Sequence, residues 1–135
     1  MNLENTLAVA SAGMTAQAIR LRVVAENLAN AESTGDQPGA EPYRRKLVIF
    51  RNELDRALGV ERVEVARYAT DPSPFELRYE PGHPAANDKG YVAYPNVEPL
   101  VELVDMREAQ RSYEANLGVS TVARDLLQRT IDLLR

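Results

Sequence analysis

The two ends of this chain repeat apolar or small residues every seven positions over long, almost uninterrupted stretches, and that periodicity constrains the fold more than any other feature. Residues 3–33 contain no Pro and a single Gly, Gly13. Leu7, Met14, Leu21 and Leu28 form one seven-residue series; Ala10, Val24 and Ala31 form a second, interrupted only by Gln17. An apolar a/d pattern of this kind over about four heptads reads as an amphipathic helix, roughly 45 Å long at the usual rise per residue. At the other end Met106, Tyr113, Ser120, Leu127 and Leu134 share one series, and Ala109, Asn116, Ala123 and Thr130 its companion. Leu103, Leu117 and Ile131 widen that stripe. Asn96 is a candidate N-cap, and Pro99 is tolerated in a first turn. This second helix spans roughly 55 Å by the same rise.

Between the ends the period falls to two. Thr34 to Pro42 reads as loop, because Gly35, Pro38, Gly39 and Pro42 cannot sustain a helix. Tyr43 to Phe50, Arg62 to Arg67 and Phe75 to Glu80 alternate or run apolar in the manner of half-buried strands. Arg51 to Leu58 is expected to be a short helix closed by Gly59. Pro and Gly clusters at 71–74, 81–84 and 87–90 mark turns.

The expected architecture is therefore α+β: two long terminal α-helices forming an antiparallel coiled-coil hairpin, with a small β-rich middle domain. The expected divisions are 1–34 for the N-terminal coiled-coil helix, 35–96 for the β-rich middle and 97–135 for the C-terminal coiled-coil helix. A small middle domain cannot cover two stripes of this length. Leu7, Met14, Leu21, Val24, Leu28, Met106, Tyr113, Leu117, Leu127 and Ile131 are thus candidate subunit-packing residues. Heterologous contacts through such stripes generate rings or helical filaments. Asn27, Asn30 and Asn116 are candidates for register control or helix capping, since a buried amide must find a partner and so fixes alignment.

Composition narrows the function classes. The formal net charge is −4, and neither terminal stretch nor the middle is basic, so the sequence offers no face for nucleic acid or for an anionic membrane surface. No apolar run is long enough for a transmembrane helix, so no direct membrane insertion is expected. Cysteine is absent, which removes disulfides and thiolate metal sites. His83, the single histidine, sits between Gly82 and Pro84 in a turn. It has no second histidine for a metal pair and no nucleophile context, so no catalytic, metal-binding or cofactor-binding residue is assigned and no small-molecule substrate is expected. Ala10-Ser11-Ala12 imitates a signal-cleavage site, but Glu4 occupies the place of a cationic leader. Arg44, Arg45 and Lys46 form a short basic cluster, read as a solvated strand edge or an ion-pairing site for a neighbour.

The motifs, taken in order, resemble a family. Ser11-Ala-Gly-Met14, Ala16-Gln17, Ala25-Glu-Asn-Leu-Ala-Asn30-Ala31 and Thr34 are similar to the N-terminal signature of flagellar rod and hook proteins. Pro42-Tyr-Arg-Arg45, Asp71-Pro-Ser-Pro74, Tyr79-Glu-Pro-Gly-His-Pro84, Gly90-Tyr-Val92, Pro95-Asn-Val97, Asp105-Met106, Ala109 and Arg111-Ser-Tyr-Glu-Ala-Asn116 resemble its proximal-rod members. The match departs at Glu26, Pro99 and the loop from Gly35 to Glu41. The resemblance implies a structural, non-enzymatic subunit of the basal-body proximal rod that transmits motor torque and is needed for flagellum assembly and motility. It also implies export through the flagellar type III apparatus without signal cleavage, periplasmic assembly with other rod proteins and copies of itself, and no cofactor. The alternative is a coiled-coil adaptor or export chaperone of a secretion system, which has no use for a turn-rich β middle.

Overall fold

The computed structural model describes residues 2–135. Six elements follow one another: α1 (Leu3–Ala29), β1 (Lys46–Asp55), β2 (Val60–Thr70), β3 (Glu76–Tyr79), β4 (Tyr91–Tyr94) and α2 (Pro99–Leu133). Two compact units share them. The first gathers α1 up to Leu21, Val48–Arg67 and Met106–Arg135; the second gathers Arg22–Leu47 and Tyr68–Asp105.

In the first unit α1 begins where the Asn2 side chain accepts the Asn5 N–H at 2.8 Å, satisfying one of the amides that a helix start leaves open. Arg20 pairs with Glu108 at 3.4 Å, and Gly13 lies against the Asn116 side chain, so α1 and α2 run antiparallel. The buried positions on these helix stretches are small: Ala10, Ala16, Ala109, Ser120 and Ala123. The other flank of α1 faces β2 across an open groove of about 360 Å³, lined by Ala8, Ala12, Thr15 and Ile19 on one side and Arg62 to Val65 on the other.

This arrangement corrects the expected coiled coil. A coiled-coil seam sets large a and d residues of each helix into holes on its partner. Here Leu7, Met14, Leu21 and Leu28 are only partly covered, and Leu117 and Ile131 are exposed. At Gly13, α1 meets the Asn116 side chain of α2 with no room for a Cβ. α1 divides its surface between a helix and a β-hairpin, so no single seam collects its apolar stripe. The α+β class and the antiparallel order of the helices remain; the coiled coil does not.

Arg51 to Leu58 is also not a helix. β1 continues to Asp55, whose carboxylate accepts the N–H groups of Ala57 and Leu58, and Gly59 closes the turn at φ +66°. That Asx-type turn joins β1 and β2 into a two-stranded sheet, across which Arg51 Nε donates to Glu64 at 2.8 Å.

In the second unit β3 and β4 pair antiparallel, with Leu77 opposite Ala93 and Tyr79 opposite Tyr91. One face of this sheet buries Val92 and Tyr94 with Ala85, the small apolar core of the unit. Asn96 does not cap α2. Its Oδ1 accepts the Arg45 N–H at 2.8 Å, and its Nδ2 donates to the Asp71 and Ser73 carbonyls. The helix instead starts at Pro99, where a missing N–H costs nothing.

A Cβ added at Gly13 would lie 2.7 Å from Asn116 Nδ2. Overpacking of this kind costs about 1–3 kcal/mol, against a helix-propensity gain of about 1 kcal/mol for Gly→Ala. Gly13→Ala is therefore expected to destabilise the wild-type chain, yet to stabilise an Asn116→Ala background by up to about 1 kcal/mol. Urea unfolding of the four chains in that double-mutant cycle measures the reversal of sign.

Candidate functional site

Two features of the structure are candidates for function: a sealed polar junction in the second unit, and the apolar surface that α2 leaves open in the first.

The junction is built around Asn27 and Glu102, both fully buried. Asn27 Oδ1 accepts the Lys46 N–H at 2.9 Å and the Tyr43 hydroxyl at 2.7 Å, while its Nδ2 donates to the Lys46 carbonyl at 3.0 Å and to Glu102 at 3.3 Å. The amide thus pairs with Lys46 as a neighbouring strand would, at the residue where β1 begins. Arg45 donates through Nε to Glu102, and its two terminal nitrogens reach Asp71 and Asp105, each at 3.4 Å. Arg44 donates to the Asp71 and Ser73 carbonyls and lies over the Phe75 ring at 4.1 Å. The end of α1, the start of β1, the 71–73 loop and the start of α2 therefore meet in one hydrogen-bonded cluster.

Charges in this cluster are balanced locally. The Asp71 carboxyl is held below the usual carboxylate range, first by the Ser73 hydroxyl, then by the Ser73 N–H and by Arg45. Burial pushes the Tyr43 hydroxyl up, and the nearby Glu26 and Glu102 carboxylates add to the effect. Arg45 stays fully protonated: burial opposes its charge, and Glu102 and Asp71 outweigh that cost. Glu102 bonds Arg45 through one carboxylate oxygen and Asn27 through the other. His83 is engaged as well, accepting the Ala85 N–H through Nδ1 at 3.0 Å and meeting Thr34 Oγ1 through Nε2 at 3.4 Å. Among the described residues no group of three His, Asp or Glu side chains is placed to hold a metal ion.

The second feature is a run of large apolar side chains open to solvent along α2: Leu117, Val119, Val122, Leu126, Ile131 and Leu133. Val119, Val122, Leu126 and Leu133 recur at the three- and four-residue spacings of one helix face. Beside them an apolar groove of about 420 Å³ runs between Leu3 and Thr6 of α1 and Ala115 to Leu126 of α2. Exposed apolar surface of this continuity is a candidate interaction site.

The candidate packing residues divide between these settings. Val24 is buried; Leu7, Met14, Leu21, Leu28, Met106, Tyr113 and Leu127 are half-buried; Leu117 and Ile131 are exposed. Of the asparagines, Asn27 is the junction hub. Asn30 donates to the Glu26 carbonyl at the end of α1, and Asn116 donates to the Ser112 carbonyl while lying on Gly13. Arg45 of the basic cluster pairs within its own chain. Glu102 escaped the sequence reading, although a signal existed: it stands seven residues before Ala109, on the series that continues through Asn116 and Ala123.

Comparison with known proteins agrees with these features. Residues 7–35 match the family described as flagella basal body rod protein, and residues 88–133 match the flagellar basal body rod FlgEFG protein C-terminal family. A protein of Agrobacterium fabrum named flagellar basal-body rod protein FlgC is 55% identical over 127 residues, covering 94% of this chain and 91% of its own length. Proteins of the same name from Yersinia enterocolitica and Borreliella burgdorferi are 40% and 37% identical, covering 98% and 100% of this chain and 98% and 99% of their own lengths.

Truncating Asn27 to Ala leaves the half-buried Lys46 N–H and carbonyl and the buried Glu102 carboxylate short of partners. A loss of about 2–4 kcal/mol is expected, measurable by urea unfolding. Acid should act on Asp71. Its folded-state pKa is lowered, so its contribution is present above the unfolded value of about 3.9 and is lost as pH falls through the lowered folded value. Asp71→Asn should flatten the stability–pH curve in that acid range, read from thermal unfolding at stepped pH.

Proposed function

We propose that this chain, which belongs to the FlgC family of flagellar basal-body rod proteins and is a structural subunit of the flagellar basal-body rod, packs on its neighbours through the apolar surface that α2 leaves open. The observation that carries this reading is the row of Val119, Val122, Leu126 and Leu133, exposed beside an apolar groove. Removing such a side chain from water is worth about 1.5–3 kcal/mol, so a few of them supply a contact between subunits that one chain cannot make alone.

The neighbours are other rod proteins and further copies of this chain. Leu117 and Ile131 join the open face. Leu7, Met14, Leu21, Leu28, Met106, Tyr113 and Leu127, half-buried in the single chain, complete their burial in the assembled rod, and Val24 supports them from within. Asn27 and Asn116 hold the helices in register, and Asn30 caps the end of α1. In this reading residues 1–34 and 97–135 form the inner, tube-building parts, and residues 35–96 the outer β-rich part. The rod is the proximal, periplasmic segment that carries torque, and the chain reaches it through the flagellar type III export apparatus without cleavage of a signal. The role is mechanical, with no cofactor and no substrate. The engagement of Glu102 and His83 by their own chain supports this, and no helix of the described residues is long and apolar enough to cross a membrane.

Val122→Asp with Leu126→Asp tests this. Both side chains are exposed, so the fold should change in stability by no more than about 0.5 kcal/mol each. The double variant should remain folded by circular dichroism, yet disappear from purified basal bodies and leave cells non-motile. Normal incorporation of the variant would overturn the reading.

A further inference from the structure

The acidic unit of this chain carries an aromatic surface that its own residues leave uncovered. On the outer face of β3 and β4, Leu77, Tyr79 and Tyr91 stand 63%, 66% and 42% exposed. The two tyrosine rings meet edge to face, their centroids 5.4 Å apart. The pair is built in: Gly90, at φ +84°, passes under Tyr79 so closely that a Cβ there would lie 2.9 Å from the ring. Beside the rings an open groove of about 230 Å³ is lined by Glu41, Pro42, Phe75, Leu77 and Tyr91.

Charge says what this surface accepts. Residues 22–47 and 68–105 hold eleven acids and six bases, whereas the remainder of the chain holds nine acids and ten bases. Three of those six bases point elsewhere: Arg44 and Arg45 belong to the polar junction, and Arg78 lies over the Tyr94 ring on the other side of the sheet, at 4.0 Å. Glu41 lines the groove, and Asp88 is exposed in the turn before Tyr91, with Lys89 as the only base in that turn. Within this unit a guanidinium already covers Phe75 and another covers Tyr94. Among the described residues no guanidinium covers Tyr79 or Tyr91. An acidic rim around open aromatic rings selects a guanidinium, which stacks on the ring and pairs with carboxylate at once.

The complementary group is in the other unit. Arg107 and Arg111 are exposed on α2 and make no ion pair among the described residues. They stand four residues apart on one helix face, about 6 Å along the axis, which matches the spacing of the two rings. We propose that the Tyr79–Tyr91 face of one copy docks the Arg107–Arg111 turn of a second copy of this chain. Because the donor and acceptor surfaces differ, a copy can give one and receive the other, and a contact repeated in that way is heterologous, with a ladder rather than a dimer as its signature. The inference rests on the rod reading and names one contact within it.

The chain has no cysteine, so an introduced pair reports contact without background. In basal bodies from cells carrying Leu77→Cys with Glu114→Cys, a short bifunctional thiol reagent should give a ladder of cross-linked multiples of this chain. Neither single variant should give one. Adding Arg107→Glu and Arg111→Glu, or Tyr79→Leu and Tyr91→Leu, should cut the ladder about tenfold, the effect of losing two cation–π contacts. Tyr79→Phe with Tyr91→Phe should retain it, because the rings remain. A chain present in basal bodies without a ladder, a product with a protein of different mass, or a ladder indifferent to the arginine changes would each overturn the proposal and leave the rod reading standing. Absence of the wild-type chain from basal bodies would overturn the rod reading itself.

Discussion

One side chain sets the geometry of the second unit. The Asn27 amide uses both of its donors and both acceptor positions, and the four bonds serve three structural tasks. Two of the bonds start β1 at Lys46, one orients Tyr43, and one reaches Glu102 near the start of α2. A carboxylate as deeply buried as Glu102 is costly unless paired, and Arg45 pairs it. Arg45 in turn carries its own backbone to Asn96 and its terminal nitrogens to Asp71 and Asp105. A buried ion pair of this kind is a weak source of stability compared with apolar residues of the same volume. What it supplies is direction: in this alignment of the four segments these donors all find acceptors, and a shift of any one segment would break several bonds at once.

Direction matters here because the apolar packing is thin. Where α1 meets α2 and the hairpin, the buried residues are alanines, a serine and a glycine, and the apolar core of the second unit is Ala85, Val92 and Tyr94. Small residues allow close approach, but they distinguish poorly between one register and the next. Asn116 on Gly13 and Arg20 on Glu108 provide the discrimination that alanine cannot. The same economy leaves the larger side chains outside. Leu117, Val122, Leu126 and Leu133 stay 45% or more exposed in the single chain, and the proposed packing on neighbours is what would cover them.

Much of this was legible from sequence, for identifiable reasons. Proline-free heptad stretches announced both helices, and period-two alternation announced the strands. The absence of a coiled coil is not legible in the sequence, because a heptad stripe says that a face is covered, not by what. Ala8, Ala12, Thr15 and Ile19 line a groove against β2, which no helical periodicity can reveal. The segment after Phe50 was misread because its length and charges suit a helix, whereas the Asp55 turn and Gly59 commit it to a hairpin. The junction was half visible. Asn27 stood out as an amide within a helix; Glu102 and Arg45 looked like ordinary surface charges, since burial of a charge depends on a partner 57 residues away.

The division of labour inside the chain bears on how copies meet. Apolar area supplies association free energy but little register, because sliding one helix past another by a turn exchanges one leucine contact for another. Inside this chain the problem is solved by amides and ion pairs placed where only one alignment satisfies them. In the proposed contact between copies the same problem returns, since every subunit must resist the same slip. Oily helix faces alone would leave it unsolved. Groups with fixed spacing and charge, such as two rings 5.4 Å apart and two arginines one helical turn apart, lock an interface at a single register. The acid excess of one unit and the unpaired arginines of the other then act together. They give the contact a polarity, so that each copy presents to the next a surface different from the one it received.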